Sequence, residues 1–297
     1  MKKNSIFYRI KGRVIMTLYP YLPKKIAIKT CFRHFVGYSL DLDNPRSFNE
    51  KLQWLKLNDI HPEYSIMVDK VEAKKYVAKR IGQQYIIPTI DVYDSVEDIN
   101  WNSLPQKFVI KTNHGCGGMT ICKDKENLDI AHTKKILNKA LQKDYSRYNN
   151  EYPYKHVKRR IIVENYMEDE TGELRDFKFF CFDGKPFCMF LATDRGKKNE
   201  ETKFDFFDME WNHLPFTNGH PNSGKVIEKP RNFEKMKELA SILSKGFPHL
   251  RVDFYNINGN IYFGELTFFH WSGIVPFDPI DWDYKLGELI KLPNKHN

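Results

Sequence analysis

Alternating apolar and polar positions near the C-terminus predict a β-hairpin around Asn258-Gly259, a dipeptide typical of tight turns. A two-residue loop would place Asp253 and Glu265 on opposite faces, because side chains alternate along a strand. A three-residue loop, which adds the following asparagine, would pair these two acids. Arg251 and Thr267 would then share their face. The opposite face would be wholly apolar or aromatic, with Leu250, Val252, Phe254, Tyr262, Leu266 and Phe268. We therefore expect the three-residue loop.

The rest of the pattern mixes helical periodicity with short, predominantly antiparallel strands, which predicts an α+β fold. Ser47 and Glu50 form a capping-box pattern at the start of one helix. The other helices are predicted at residues 5–37 (broken near two prolines), 70–81, 130–150 and 232–244. Strands or extended segments are predicted at residues 86–93, 107–112, 119–122, 159–166, 174–182, 185–192 and 204–207.

Two carboxylates side by side on a sheet repel each other, so Asp253 and Glu265 need a compensating positive charge. Oxygen ligands at this spacing suit a hard divalent cation such as Mg2+, which also binds phosphate. The alternative is a solvated sheet face on which Arg251 neutralises both acids, since ion-pair networks on sheets are common. Because the two charges repel, we expect that neutralising either carboxylate costs little stability.

A glycine-rich loop at residues 114–118 joins two further predicted strands. Gly115, Gly117 and Gly118 allow backbone N–H groups to approach phosphate oxygens closely. Lys111 ends the preceding strand, where its ammonium group can reach the same oxygens. The loop lacks the Gly-x-x-x-x-Gly-Lys pattern and the strand–loop–helix context of a Walker A motif. Because glycines in hairpin loops are most often turn residues, the loop alone does not identify a nucleotide site.

The chain of 297 residues is long enough for a substantial core and for two domains. Its five cysteines are scattered without Cys-x-x-Cys spacing, which favours a reducing compartment and argues against structural zinc. The sequence shows no signal peptide and no apolar run of the roughly 20 residues that span a bilayer. We therefore expect a cytoplasmic protein.

The net charge of +9 comes from the first 40 residues, which contain nine lysines and arginines and no acidic residue. Three interpretations of this segment are open: contact with an anionic membrane surface, packing of ordinary amphipathic helices onto the body, or nucleic-acid binding. No recognised nucleic-acid motif accompanies the charge, so we expect no nucleic-acid partner. Membrane contact would place the protein at the inner face of the cell membrane.

Four segments of the chain carry a combined pattern: Ser47-Phe-Asn-Glu-Lys-Leu-Gln-Trp54, Lys111-Thr-Asn-His-Gly-Cys-Gly-Gly118, Arg175-Asp-Phe-Lys-Phe-Phe-Cys-Phe182 and Phe263-Gly-Glu-Leu-Thr-Phe268. Together they resemble the TupA-like ATP-grasp proteins of bacterial surface-polysaccharide clusters. The resemblance covers roughly residues 45–292 and implies an ATP-grasp fold, in which two α+β subdomains grip ATP. It departs from the wider superfamily at the N-terminus, where a shortened, basic helical region replaces the usual α/β domain.

The resemblance also implies a division of the chain into four parts. These are a basic helical segment (1–45), the N-terminal part of the ATP-grasp region (46–105), a lid subdomain with the glycine-rich loop (106–164) and a C-terminal core with the metal site (165–297).

The resemblance implies the following nucleotide site. Phosphate contacts fall to Lys70 and Lys111, with Lys178 as an additional one. The flexible lid over the phosphates comprises Gly115, Cys116, Gly117, Gly118 and Met119. The linker whose backbone reads adenine comprises Glu164, Asn165, Tyr166 and Met167. For the acid that binds the ribose, Asp169 and Asp176 both lie near the expected place.

The resemblance further implies a metal site and a transfer site on the C-terminal hairpin. Asp253 and Glu265 match the carboxylates that bind Mg2+. Thr267 stands where D-alanine–D-alanine ligases carry a metal-binding asparagine, although a hydroxyl is a weaker ligand than an amide oxygen. Arg251 matches an arginine that stabilises negative charge during phosphoryl transfer. Arg251 and Lys111 are the residues expected to act in catalysis.

The usual chemistry of this superfamily makes an acyl-phosphate from a carboxylate and ATP, and an amine then displaces the phosphate. We therefore expect an ATP-dependent carboxylate–amine ligase that modifies a capsular or surface polysaccharide or its precursor, for example by joining an amino acid to a uronic acid. A sugar kinase and a glycosyltransferase are the enzymatic alternatives. A scaffold with an inactive site is the non-enzymatic one. The candidates for lining the acceptor pocket are His114, Arg195, His270 and Trp271.

Overall fold

A computed structural model of the chain describes residues 5–169, 172, 174–194 and 200–294. The helices are α1 (Ile6–Leu18), α2 (Lys24–Phe35), α3 (Phe48–Asn58), α4 (Tyr64–Val68), α5 (Glu72–Ile81), α6 (Ile130–Leu141), α7 (Tyr145–Asn149), α8 (Phe233–Ser244) and α9 (Asp281–Leu289). The strands are β1 (Thr89–Tyr93), β2 (Phe108–Thr112), β3 (Met119–Cys122), β4 (Ile161–Asn165), β5 (Asp176–Phe182), β6 (Lys185–Thr193), β7 (Lys203–Asp208), β8 (Thr217–Asn218), β9 (Leu250–Ile257), β10 (Asn260–Thr267) and β11 (Phe277–Asp278).

Two antiparallel sheets carry the architecture. The first has strand order β1-β4-β2-β3, and the second has strand order β10-β9-β5-β6-β7. A small two-stranded sheet pairs β11 with β8. Strand β1 lies in the same sheet as the predicted lid strands, so this sheet begins at residue 89. The division of the chain at residues 45, 105 and 164 remains a prediction.

The hairpin of β9 and β10 differs from the predicted one in its loop. Ile257 pairs with Asn260, so the loop has two residues, and both Asn258 (φ 51°) and Gly259 (φ 83°) adopt the left-handed conformation of such turns. A β-bulge at Gly264 then shifts the register by one residue, so that Glu265 pairs with Asp253 as predicted.

The bulge also changes which side chains form the predicted apolar face. Tyr262 pairs with Tyr255, and the buried Phe263 pairs with Phe254. The aromatic side chain opposite Phe254 is therefore that of Phe263, because the register changes only after this residue. A side chain at Gly264 would place its Cβ 3.1 Å from the Asp253 carbonyl oxygen, which explains why glycine occupies the bulge.

Helix α3 begins as the sequence predicts. Ser47 accepts a hydrogen bond from the Glu50 backbone N–H, and the Glu50 carboxylate accepts one from the Ser47 N–H, which completes the capping box. The buried Asp283 of α9 holds the same turn by accepting hydrogen bonds from the backbone and side chain of Asn49. The start of α3 is thereby attached to the C-terminal helix.

The predicted basic helix over residues 130–150 is two helices. Helix α6 ends at Leu141, and Asp144 caps the separate helix α7 by accepting a hydrogen bond from the Arg147 backbone N–H. The sequence between them contains Asp144 three residues before Arg147, a capping pattern that competes with continued helix. This break places α7 beside the glycine-rich loop.

Helices α1 and α2 pack side by side through their inner faces. Ile15, Tyr19, Ala27, Ile28 and Phe32 are buried, and they belong to the same core as the five-stranded sheet. The inner faces of both helices therefore pack onto the body of the protein, as one of the three interpretations of this segment expects. No helix among the described residues has the length and apolar character needed to cross a membrane.

Candidate active site

A cleft between the two sheets brings together four of the predicted site residues, Lys70, Lys111, Glu164 and Glu265. Its empty volume is about 380 Å3, including the open mouth. One wall carries Lys111 of β2 and Glu164 of β4, and the other carries the bulge of β10. The full lining consists of Met67, Val68, Lys70, Ala73, Lys74, Ile87, Lys111, Glu164, Tyr255, Phe263, Gly264, Glu265 and Leu266.

Glu164 lies at the centre of a buried ion-pair cluster. Its carboxylate contacts the Lys111 ammonium at 2.5 Å and also the ammonium of Lys74. Burial raises the pKa of Glu164, but the two lysines outweigh burial and hold it below its ordinary value. The side chain is therefore ionised at neutral pH, and it fixes both lysine side chains in the cleft.

Lys74 is the residue of this cluster that sequence reasoning missed. Lys74 lies on α5, four residues after Lys70, and a helical pattern alone predicts a surface lysine at this position. Its ammonium also donates to the Ile87 carbonyl oxygen at 2.8 Å and to the Thr89 hydroxyl at 2.9 Å. Thr89 begins strand β1 and Ile87 lies two residues before it, and no local sequence pattern connects this segment with α5.

Lys70 connects the glycine-rich loop with the carboxylates of the hairpin. Its ammonium donates to the Gly115 carbonyl oxygen at 2.7 Å and lies 3.5 Å from Glu265 Oε1. The start of the loop is fixed to the same segment, because Asn113 donates to the Asp69 carboxylate at 2.8 Å and its carbonyl oxygen accepts from the Lys70 backbone N–H at 2.8 Å. Lys70 therefore contacts both the glycine-rich loop and the Glu265 carboxylate.

The glycine-rich loop relies on its glycines for conformation and for space. Gly115 (φ 63°), Gly117 (φ 85°) and Gly118 (φ 62°) are all left-handed. A Cβ on Gly115 would lie 2.0 Å from the Tyr145 ring, whereas a Cβ on Gly117 would meet nothing within 4 Å. Tyr145 of α7 also donates its hydroxyl to the Cys116 carbonyl oxygen. Helix α7 therefore supports the loop from behind.

Asp253 is held by positive charge on two sides. Arg251 donates to its carboxylate through Nε and one terminal nitrogen, both at 2.8 Å, and Lys178 lies 2.5 Å from Oδ2. Asp253 is only 1% exposed. Burial raises its pKa, but Arg251 and Lys178 outweigh burial and hold the pKa below its ordinary value. Cations thus compensate the expected repulsion between the paired acids.

Glu265 and Thr267 are the more open members of the predicted metal set. The Glu265 side chain is 34% exposed and lies 3.8 Å from Arg251, while the Thr267 hydroxyl accepts from Arg251 at 3.0 Å. Asp253 and Glu265 are therefore paired across the hairpin, and Thr267 lies two residues after Glu265 on the same strand. Among the described residues, no group of three or more His, Cys, Asp and Glu side chains is arranged to hold a metal ion.

His270 continues the hydrogen-bond chain behind Arg251. Its Nδ1 lies 2.7 Å from an Arg251 terminal nitrogen, and its Nε2 lies 2.8 Å from the Asn218 side-chain oxygen. Because arginine can only donate, His270 accepts at Nδ1 and donates from Nε2 to Asn218. Burial, and then the charge of Arg251, hold the pKa of His270 well below its ordinary value, so the ring is neutral.

The predicted adenine linker follows directly after the cleft wall. Asn165 ends β4 and donates its backbone N–H to the Pro88 carbonyl oxygen at 3.1 Å, while Tyr166 and the half-buried Met167 follow. Of the two candidate ribose acids, Asp169 accepts from Arg175 at 2.7 Å and is buried. Asp176 instead contacts Lys178 at 2.6 Å. The structure thus brings Asp176 to the Asp253 cluster, and the choice of ribose acid stays open.

The four acceptor-pocket candidates have different environments. His114 is buried behind the glycine-rich loop against Tyr145, and His270 is buried beside Arg251. Trp271 is 40% exposed, and both it (φ 48°) and Ser272 (φ 54°) adopt the strained left-handed conformation that functional sites often contain. The fourth candidate, Arg195, lies outside the described residues.

The model of the TupA-like ATP-grasp family matches residues 50–291 of the chain. The chain belongs to the TupA-like ATP-grasp family. This match confirms the family, the ATP-grasp fold and the enzyme class that the sequence predicts. No curated protein sequence matches the chain in a direct search. Membership of the TupA-like family does not by itself assign a role to any single residue, so the site residues remain predictions.

Solved structures similar to this TupA-like protein include several ATP-grasp ligases. The D-alanine–D-alanine ligase of Bacillus anthracis in complex with ATP has a TM-score of 0.43 at 17% identity, over 75% of this chain and 66% of that one. The enzyme of Helicobacter pylori has a TM-score of 0.45 at 14% identity, over 85% and 68%. The ATP-grasp ligase PsnB, complexed with a phosphomimetic variant of its minimal precursor, Mg and ADP, has a TM-score of 0.42 at 9% identity, over 70% and 52%.

The TupA-like chain spans little more than half the length of several of these proteins: 57% of a second Bacillus anthracis ligase structure and 53% of the N5-carboxyaminoimidazole synthetase of Staphylococcus aureus. Because identities are low and TM-scores lie below 0.5, these likenesses support no functional conclusion.

Proposed function

We propose that this TupA-like protein is an ATP-dependent carboxylate–amine ligase that modifies a bacterial capsular or surface polysaccharide or its precursor. One observation carries the proposal: Lys70 contacts both the glycine-rich loop at Gly115 and the hairpin carboxylate of Glu265. A phosphate-binding loop and acidic, metal-type ligands thus lie within reach of one ammonium group. Phosphoryl transfer needs this combination, because it depends on positioning and on charge neutralisation.

In the proposed site, the phosphates of ATP lie among the lysines of the cleft. Lys70 and Lys111 contact phosphate oxygens, and the backbone N–H groups of residues 115–119 close over them. Glu164 and Lys74 keep Lys111 in place before the nucleotide binds. Arg251, held rigidly by Asp253 and His270, offsets the negative charge that develops on the transferred phosphoryl group.

The hairpin is the proposed place for Mg2+. Asp253, Glu265 and Thr267 offer only oxygen donors, the type that Mg2+ prefers, and Glu265 is open to the cleft. Three cations compensate these acids: Lys70, Lys178 and Arg251. The residues therefore fit the ion in chemistry and charge. When bound, Mg2+ would neutralise phosphate charge and orient the triphosphate.

The proposed nucleotide site extends from the phosphates along β4. The backbone of residues 164–167 would contact adenine, and either Asp169 or Asp176 would contact the ribose. Asp169 is already paired with Arg175 and Asp176 with Lys178, so each acid has a cation that could adjust when the nucleotide binds.

The proposed acceptor is a saccharide carboxylate, such as a uronic acid, and the proposed second substrate is an amine or amino acid. The turn at residues 270–273 lies next to Arg251 through His270, and it is the part of the described chain where strain and an exposed tryptophan coincide. Exposed aromatic rings bind the apolar faces of sugar rings. We assign this turn to the acceptor side of the site. We further propose that the protein is cytoplasmic and contacts the inner face of the membrane.

The experiment that tests the function is a product screen with ATP, Mg2+, uronic-acid sugars and a panel of amino acids, read by mass spectrometry. A ligase should release ADP and phosphate and give an amide product without phosphorus. Hydroxylamine should replace the amine and trap the activated carboxylate as a hydroxamate. Glu265→Gln serves as the matched inactive control, because Glu265 is open to solvent and its loss should leave the fold intact.

Two other products would overturn the ligase assignment. A stable phosphosugar without hydroxamate would identify a sugar kinase on the same fold. Sugar transfer without ADP release would identify a glycosyltransferase. The chain has two Asp-x-Asp sequences, which such enzymes often use for metal binding, but here Asp41 accepts turn hydrogen bonds from residues 43 and 44, and Asp283 is buried against Asn49.

A further inference from the structure

Helix α1 presents an apolar face to solvent. Five large side chains are half or more exposed: Ile6 (68%), Phe7 (74%), Ile10 (51%), Val14 (51%) and Leu18 (50%). Because successive residues of an α-helix are about 100° apart, the five lie within an arc of roughly 120°, in which Thr17 is the one polar residue of α1 and donates its hydroxyl to the Arg13 carbonyl oxygen. Single exposed apolar residues are common on proteins, but a continuous stripe along a whole helix marks an interaction surface. We call these five residues the α1 stripe.

The α1 stripe lies opposite the face by which α1 packs on the body of the protein. Gly12 and Ile15 on the opposite side of α1 are buried, and the Tyr8 hydroxyl donates to the His34 carbonyl oxygen of α2 at 3.0 Å. The helix is thus attached to the body by its inner face. Within the part of the chain that the structure describes, nothing covers the outer one.

Positive charge surrounds the α1 stripe. On the helical wheel, Lys11 borders one edge of the stripe, and Arg13 and Arg9 border the other. Helix α2 adds a row of exposed cations at four-residue spacing, Lys25, Lys29 and Arg33. The first 40 residues contain no acid, and Asp41 directly after them interacts with Lys29 of this row. The surface therefore combines insertion of apolar side chains with attraction of negative charge.

We propose that the α1 stripe docks on an anionic lipid surface, with α1 lying in the plane of the membrane. An apolar stripe bordered by lysine and arginine is the pattern of helices that lie at the interface of a bilayer. A second copy of the chain fits less well, because it would bring the bordering cations of both copies together. The proposal rests on the peripheral localisation proposed above and assigns it to particular side chains.

Helix α1 lies close to the glycine-rich loop. The turn between α1 and α2 contacts α7 through Tyr19, whose hydroxyl accepts from Asn150 at 3.0 Å, and through Tyr21, whose ring lies 5.2 Å from the Arg147 guanidinium. Tyr145 of the same α7 contacts the glycine-rich loop. One short helix thus separates the lipid-docking surface from the loop, so docking would hold the site near the membrane.

The test compares vesicle binding of the full chain and two double variants by co-sedimentation. The vesicles contain phosphatidylcholine alone or phosphatidylcholine with phosphatidylglycerol. Ile10→Asp/Val14→Asp places two acids in the stripe, at exposed positions that do not disturb the core. Val226→Asp/Ile242→Asp is the matched control, since Val226 (98%) and Ile242 (42%) are exposed apolar residues elsewhere on the chain.

The unaltered chain and the control should bind phosphatidylglycerol vesicles at least about tenfold more tightly than phosphatidylcholine vesicles, and added salt should weaken the binding. The α1 variant should lose about tenfold or more of this affinity. Equal binding by the α1 variant and the control overturns the proposal. Equal binding of the unaltered chain to vesicles with and without phosphatidylglycerol also overturns it. A dimer that the α1 variant alone disrupts, without vesicle binding, would identify a second copy as the occupant.

The outcome is independent of the proposed reaction, because the assay contains neither ATP nor acceptor. A ligase without the docking surface would keep turnover of a soluble acceptor and fail to bind vesicles. A docking protein with a different chemistry would bind vesicles and give no hydroxamate.

Discussion

The two paired carboxylates of the hairpin should respond differently when each is neutralised, so the expectation that either change costs little stability is kept only for Glu265. Asp253 is 1% exposed and accepts three contacts from Arg251 and Lys178, whereas the Glu265 side chain is 34% exposed and no closer than 3.5 Å to its cations. Asp253→Asn keeps the shape of the side chain but removes the closest counter-charge of the buried Arg251 and one of the two carboxylates that contact the partly buried Lys178. Glu265→Gln removes a charge that solvent already screens, so it is the matched control.

The structure sets the size of the difference. Removing one partner of a buried ion pair costs about 3–5 kcal/mol. We expect the lower end for Asp253→Asn, because Lys178 retains Asp176 at 2.6 Å and Arg251 retains Glu265 at 3.8 Å. An exposed pair contributes about 0–1 kcal/mol, which bounds the cost of Glu265→Gln. At about 2 °C per kcal/mol for a chain of this size, Tm should fall by roughly 6 °C and by less than roughly 2 °C, respectively.

Thermal and urea unfolding without nucleotide or metal measure this difference. Because the folded-state pKa of Asp253 is lowered, its contribution is present above the ordinary aspartate pKa and is lost as pH falls through the folded value. The gap between the unaltered protein and Asp253→Asn should therefore narrow in acid. Equal melting of the two variants at neutral pH would refute the buried-charge argument. Near-normal ATP turnover in both would refute the metal role.

Three further predictions concern the nucleotide site and the core. Lys111→Ala should weaken ATP binding by about tenfold or more and leave adenosine nearly unaffected, because Lys111 acts on phosphate charge, and calorimetric titration of both ligands measures this. Burial raises the pKa of Asp283 to about 6, so this group should make stability fall as pH rises from about 4 to about 6, by up to about 3 kcal/mol. Gly287→Ala should destabilise the protein by about 1–3 kcal/mol, although alanine normally favours a helix, because its Cβ would lie 2.2 Å from the Arg46 carbonyl oxygen.

Each of these predictions has an opposing outcome. Equal losses of ATP and adenosine affinity would indicate a misfolded Lys111 variant rather than a lost phosphate contact. For Asp283, urea unfolding across this pH range should show a flatter profile in Asp283→Asn, and parallel profiles would contradict the raised pKa. A more stable Gly287→Ala protein would mean that α9 does not approach α3 as closely as described.

Local patterns predicted the parts of the fold that depend on neighbours in sequence. The capping box of Ser47 and Glu50 was identifiable because its partners are three residues apart, and the structure forms it. The Asn258-Gly259 turn was identifiable for the same reason. The bulge at Gly264 was not, because it depends on a close approach to Asp253 across the sheet, and one glycine in a strand does not reveal which register it serves.

The candidate site shows the same limit. Lys111 was predicted from its position before a glycine-rich loop, and the resemblance supplied Glu164 as part of the adenine linker. Lys74 was missed, although it contacts Glu164 directly, because the two residues are far apart in sequence and a lysine on an amphipathic helix usually faces solvent. Arg251 was already expected to neutralise the paired acids, and it contacts Asp253, whereas Lys178 was not expected as the second cation of this pair.

The bulge has a consequence for how relatives of this protein are aligned. The turn sets the strand pairing for the first half of the hairpin, and Gly264 resets it for the second half, so two positions share the task of bringing Asp253 opposite Glu265. A relative with one more residue in its turn and no bulge would keep the same two acids adjacent. Both chains would have the same number of residues between the two acids, so an alignment would need no gap, but residues 261–263 would face opposite sides of the sheet in the two proteins.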